Sequence, residues 1–212
     1  MHGKFITIEG TEGVGKTTNI DFIQAWLLEQ NIEFLATREP GGTPLAEQIR
    51  QLLLTPGDEK ISDAAELLLM FAGRAQHLDQ VIVPSLEAGK WVVCDRFTDA
   101  TYAYQGAGRG MDSSLIEHLE HLVQGELRPD LTLILDIPVE IGLKRASDRS
   151  APDRFEQEQV EFFERVRQGY LNTAGKDPQR YAVIDASQSL DGVQFDIKAV
   201  METFLATTKV PV

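Results

Sequence analysis

The chain has 212 residues, enough for one α/β domain with a full core and too few for two. Its 20 Lys and Arg against 33 Asp and Glu leave a net charge of −13, which argues against a long polyanion as partner but not against a small nucleotide. A single cysteine, Cys94, excludes an internal disulfide and a cysteine metal cluster, and no apolar run approaches the ~20 residues of a membrane span. With no signal peptide ahead of the first strand, the expected compartment is the cytoplasm.

In chain order, residues 4–9 read as a strand that leads into Gly10-Thr11-Glu12-Gly13-Val14-Gly15-Lys16-Thr17, a match to the phosphate-loop pattern G-x-x-x-x-G-K-[ST]. The helix that follows would place Ile20, Ile23, Ala25, Trp26 and Leu27 on an apolar face. In such a strand–loop–helix setting the glycines let backbone N–H groups curl around phosphate oxygens, and the helix N-terminus adds partial positive charge. Lys16 would reach the β- and γ-phosphates of a triphosphate, and the Thr17 hydroxyl would hold Mg²⁺. A second strand at 33–37 ends on Arg38, ahead of a proline–glycine turn. Arg38 is either a bidentate phosphate ligand or a surface arginine paired with Glu39.

Thr43-Pro44 opens the next helix with a good cap and proline in the first turn. A further helix runs from about Ser62 and should kink or restart at Pro84. Within it Phe71 and Arg74 lie three apart and share a face, suiting a planar base, although phenylalanine at helical spacing is more often core. The buried strand at 90–95 closes on Asp95-Arg96, either an Mg²⁺-ordering aspartate beside a phosphate-neutralising arginine or a structural ion pair. Helices at 112–124, 138–149, 156–174 and 189–207 surround strands at 131–136 and 180–185. Arg145, Arg149 and Arg154 frame a turn at about 147–155 that reads as a basic lid, or as a solvated charged turn. The four histidines show no metal-ligand spacing, and His118 and His121 read as helix surface.

Alternating strands and crossover helices predict a single α/β domain over residues 1–212, a three-layer α/β/α sandwich around a five-stranded parallel sheet. In such a sheet ligands gather beyond the C-terminal strand ends, where the phosphate loop, Arg38 and Asp95-Arg96 all fall.

The phosphate loop with its flanks Glu9 and Thr18, Thr37-Arg38-Glu39-Pro40-Gly41-Gly42-Thr43, Asp95-Arg96-Phe97 and Tyr104-Gln105-Gly106-Ala107-Gly108-Arg109-Gly110 together resemble the thymidylate kinase (dTMP kinase) family. The similarity covers essentially the whole chain, and the arginine–glutamate–proline–glycine–glycine segment is its most specific part. The resemblance implies a P-loop nucleoside monophosphate kinase-like fold, ATP as co-substrate, Mg²⁺ as cofactor, dTMP as acceptor and a homodimer, with no nucleic acid and no membrane.

It further implies that residues 10–18 and Arg145 bind ATP, with Lys16, Thr17 and Asp95 on the ATP–Mg²⁺ side and Arg149 and Arg154 acting from the lid, as in the bacterial branch. Arg38 and Arg96 would take the dTMP phosphate, Phe71 would stack on thymine and Arg74 would bond its carbonyl. Thr101 would face the base edge, Tyr104 the sugar near C2′, Gln105 would lie close by, and Glu12 would approach the 3′-hydroxyl. Ala100 and Phe97 replace polar residues usual at their positions.

The implied reaction is ATP + dTMP → ADP + dTDP, by in-line attack of the acceptor phosphate on the γ-phosphoryl group. Two rivals are a deoxynucleoside kinase, which needs a carboxylate base and no arginine for an acceptor phosphate, and a P-loop switch ATPase, for which the acceptor residues are superfluous.

Overall fold

The computed structural model describes residues 2–148 and 153–208. Five strands, β1 (Phe5–Glu9), β2 (Phe34–Arg38), β3 (Trp91–Asp95), β4 (Leu131–Asp136) and β5 (Tyr181–Asp185), form one sheet in the order β2-β3-β1-β4-β5. Every pairing is parallel. The expected strands therefore lie within one residue of those observed. The apolar runs of β1, β3 and β4 are buried because helices cover both faces, whereas edge strands β2 and β5 are only partly covered.

Alternate residues feed separate cores, as the two-residue repeat of a strand requires. Ile6, Ile8, Val93, Leu133 and Ile184 pack against α1 (Lys16–Glu29) and α9 (Leu190–Thr208) through Ile23, Trp26, Leu27, Val193 and Ile197. In α1 Ala25 is exposed rather than part of the apolar face. Phe5, Val92 and Cys94 face the opposite layer. There α2 (Pro44–Leu54) packs on α3 (Asp63–His77), α3 on α6 (Ser113–Gln124), and α7 (Val139–Ser147) on α8 (Val160–Ala174).

Thr43 and Ser62 cap α2 and α3, each side chain accepting the N–H of the residue three ahead. The helix from Asp63 does restart at Pro84: a π-turn over Leu78–Ile82 leads into α4 (Val83–Glu87), with Pro84 in its first turn. One expectation needs correction, and one element was not foreseen. The helix expected at 156–174 begins at Val160, because Asp153 Oδ1 accepts the N–H groups of Phe155 and Glu156 and closes a turn there instead. And residues 98–108, which carry no helical apolar period, form α5 (Thr98–Thr101) running into a π-helical segment, Tyr102–Gly108.

That π-segment lies hard against α8. A Cβ at Gly108 would fall 2.6 Å from the Phe162 ring, so glycine sets how closely the two elements approach. This contact places Tyr104 and Gln105 at the C-terminal edge of the sheet.

Candidate active site

Backbone geometry first makes the loop. Gly10, Gly13 and Gly15 have φ of 137°, 70° and 89°, and a Cβ on Gly13 would collide with the Gly142 carbonyl oxygen at 1.9 Å. Gly15 caps α1 without a side chain, leaving first-turn N–H groups for a ligand. Lys16 Nζ donates to the carbonyls of Gly10 (3.2 Å) and Thr11 (3.0 Å). Burial, then Arg96, holds its pKa below the ordinary lysine value, with Glu12 and Asp95 opposing. Residues Glu12 to Thr17 form one end of a cavity of about 190 Å³. Gly10, Thr11 and Thr18 are not among its described walls.

At the end of β3, Arg96 adopts a left-handed backbone with φ of 67°. Its guanidinium donates to Glu12 Oε1 (2.6 Å) and to the Tyr170 hydroxyl (3.2 Å), and it lies 4.8 Å over the Tyr104 ring. Tyr104 donates to the same Glu12 oxygen at 2.9 Å. Burial works against the Arg96 charge, yet Tyr104, Glu12, Tyr170 and Asp95 outweigh it and hold the pKa well above the ordinary value. Asp95 Oδ1 is buried and has no hydrogen-bond partner among the described residues. It lines the cavity with Thr17, a carboxylate–hydroxyl pair suited to a hard cation such as Mg²⁺. The described residues contain no cluster of three or more metal-ligating side chains, so such an ion would take its remaining oxygens from phosphate and water.

The far wall reads a different chemistry. Arg74 donates from Nε to Glu39 Oε2 (2.7 Å) and from Nη2 to Thr101 Oγ1 (3.0 Å). Its buried Nη1 has no partner among the described residues, and the residue lines the cavity. Behind it Glu39 Oε1 meets His77 Nδ1 at 3.0 Å, and His77 Nε2 meets Thr37 Oγ1 at 2.7 Å. Gln105 reaches buried Glu66 at 2.7 Å and, with Thr101, Ala100 and Phe97, completes this wall.

Several expected residues fall elsewhere. Phe71 is 2% exposed, packs in a cluster with Leu67 and Ile116 beneath Arg74, and is not among the described cavity walls. Three positions along a helix share a broad face, but here that face is core. Met70, four before Arg74, lines the cavity instead. Arg38 is half-exposed and paired with Glu47 at 2.9 Å rather than with Glu39, also outside the described walls. Arg50 occupies the wall it was expected to fill, donating to the Pro40 carbonyl at 2.8 Å. Burial, then Arg38, lowers the Arg50 pKa, as a cation near other cations requires.

Sequence reading passed over both Met70 and Arg50. The available signal was spacing: Ala46, Arg50 and Leu54 recur every four residues on one helix face, and a lone arginine in such a stripe needs a reason to be there.

Arg154 is tied to the Leu53 carbonyl (2.6 Å) and to Glu66 (2.6 Å), and its neighbours Asp153 and Phe155 line the cavity in its place. Arg145 reaches the Ala186 carbonyl, 3.4 Å away beyond β5. Arg149 lies outside the described residues. Asp136, at the end of β4, is engaged bidentately by Arg167 and has a structural part. His118 and His121 are exposed on α6, as expected.

A glycine loop at the head of a parallel sheet, opening on a cavity walled by arginines, defines a P-loop kinase of the nucleoside monophosphate type. Comparison narrows the class. A family model described as thymidylate kinase matches residues 8–197. A thymidylate kinase of Pseudomonas putida strain F1 is 60% identical over 97% of this chain and 98% of its own length. That of Teredinibacter turnerae is 57% identical over 97% of this chain and all of its own. The crystal structure of thymidylate kinase from Ehrlichia chaffeensis superposes with a TM-score of 0.75 at 36% identity, covering 95% of this chain and 99% of that one. The chain belongs to the thymidylate kinase family.

Proposed function

We propose that this protein transfers the γ-phosphoryl group of ATP to dTMP, giving dTDP. The observation that carries the reading is a single cavity with a phosphate loop at one end, two arginines, Arg50 and Arg96, along its side, and a base-reading arginine with a free N–H at the other. Arginines at an acceptor phosphate are what a monophosphate kinase needs and what a nucleoside kinase does not.

The phosphate dianion, formed with a second pKa of about 6, is already a nucleophile, so catalysis falls to positioning and charge neutralisation. Arg50 and Arg96 hold that dianion, Lys16 and the loop N–H groups hold the triphosphate, and Glu12 orders Arg96 and Tyr104 beside the sugar. Arg74 Nη1 donates to a base carbonyl over the Met70 thioether. Thr17 and Asp95 would hold Mg²⁺, which would supply charge neutralisation to the phosphates. Arg145 would serve the ATP side; the lid expected at about 147–155 falls partly outside the described residues.

Exposed Leu52, Leu68, Leu115 and Leu122 on the packed layer of α2, α3 and α6 support a homodimer. Among the described residues no helix is long and apolar enough to cross a membrane.

A panel of nucleoside monophosphates, with thymidine as control, assayed with ATP and Mg²⁺ tests the reading. dTMP should be the preferred acceptor, and Lys16→Ala should cost orders of magnitude in rate. Thymidine turnover exceeding that of dTMP, or no dTDP at all, would sink it.

A further inference from the structure

Arg96 is one of two non-glycine residues with positive φ among the described residues, a strained backbone state that persists only when its surroundings impose it. The surroundings are specific. Arg96 N–H donates to the Ile8 carbonyl at 3.0 Å, and the next N–H, that of Phe97, donates to Glu9 Oε1 at 2.7 Å. The other Glu9 oxygen accepts the Tyr170 hydroxyl at 2.8 Å. That hydroxyl in turn accepts Arg96 Nη1 at 3.2 Å. One carboxyl group therefore grips the strained backbone beside Arg96 with one oxygen and, through a phenol, its guanidinium with the other.

Neither residue is among the described walls of the cavity, so neither is placed to touch substrate. Glu9 is fully buried and Tyr170 is 2% exposed, its ring edge-on to Tyr104 at 6.4 Å. The phenol comes from α8, 74 residues further along the chain than Arg96. A buried carboxyl group spent on a rigid tether to a reacting-site cation is costly unless the aim of that cation matters.

We propose that Glu9 and Tyr170 are positioning residues that aim the Arg96 guanidinium at the acceptor phosphate, acting through Arg96 and not on substrate. This rests on the assignment of Arg96 to that phosphate. Tyr170→Phe removes one oxygen and keeps the packed ring. It should lower kcat/KM for dTMP roughly ten- to a hundredfold, the worth of a hydrogen bond to a charged group, while KM for ATP moves less than about twofold.

Because the effect passes through Arg96, Tyr170→Phe should weaken dTMP binding, measured by calorimetry, in the wild-type chain but change it less than about twofold in an Arg96→Ala chain. Wild-type dTMP kinetics in Tyr170→Phe, equal losses for ATP and dTMP, or the full loss repeated on top of Arg96→Ala would each overturn the tether. Should Tyr170→Phe fail to fold, Glu9→Gln, of the same size, carries the same expectations and the same refutations. Near-normal turnover in Arg96→Ala would instead overturn the assignment of Arg96 itself, a result distinguishable from failure of the tether alone.

Discussion

Arginines in this site differ less in charge than in where their guanidinium groups sit. Arg38 gives a single nitrogen, Nη2, to both Glu47 oxygens in solvent, outside the described walls of the cavity, and exposed pairs of that kind contribute little. Arg50 lines the cavity and, among the described residues, gives Nη1 to a backbone carbonyl. Arg50→Ala should therefore lower kcat/KM for dTMP roughly a hundredfold and Arg38→Ala less than about threefold, measured in the same coupled assay. Equal losses would mean that Arg38 leaves Glu47 for the substrate. Met70 is a second test at this scale. A thioether supplies dispersion to a base face without the fixed plane of a ring. Met70→Ala should raise KM for dTMP roughly tenfold with kcat nearly unchanged, whereas a change confined to kcat would show that the side chain does not touch the base.

At the scale of elements, the segment from Thr98 to Gly108 decides the acceptor side, because it carries Thr101, Tyr104 and Gln105 into one wall. Its seat is α8, whose Phe162 and Val166 fill the space that a Cβ on Gly108 would need. Gly108→Ala must push these elements apart, an overpacking cost of about 1–3 kcal/mol. Calorimetry should show a lower melting temperature, and KM for dTMP should rise with it while KM for ATP holds. An unchanged melting temperature would mean that the rings give way freely. This segment was also the least legible in the sequence. A helix whose inward face is polar, glycine-rich and aimed at a ligand has no apolar period to read. The strands, buried on both faces, announced themselves as apolar runs.

Across the whole molecule, the site rests on carboxylates taken out of water beneath the sheet edge. Burial, with Asp99 adding to it, pushes Glu9 up to about 8 against the pull of Arg96, Tyr170 and the Phe97 N–H. Burial likewise pushes Asp99 up to about 6, with Arg180 opposing. Between the unfolded value and these folded values the native state holds a proton the unfolded chain has lost, so stability falls as pH rises. Asp99 completes its share by about pH 6, which leaves Glu9 to act between about 6 and 8. The melting temperature should fall across that interval in the wild type and fall less in Glu9→Gln. A profile equally steep in both would place the titrating group elsewhere.

The sequence by itself determined the succession of strands and helices, the parallel α/β class and the phosphate loop, because each is written locally as an apolar run or a glycine pattern, and its contiguous motifs carried the resemblance to the family. Its reach ended where neighbours along the chain compete for one face. Only tertiary packing decided that Arg50 rather than Arg38, and Met70 rather than Phe71, line the cavity. For Met70 and Phe71 a rotation of one position about the α3 axis exchanges core for site, and for Arg38 on β2 and Arg50 on α2 the docking of one element on the other chooses the arginine. The tether from Glu9 through Tyr170 to Arg96 is of the same kind, since residues 161 apart meet only when α8 closes over the strand ends.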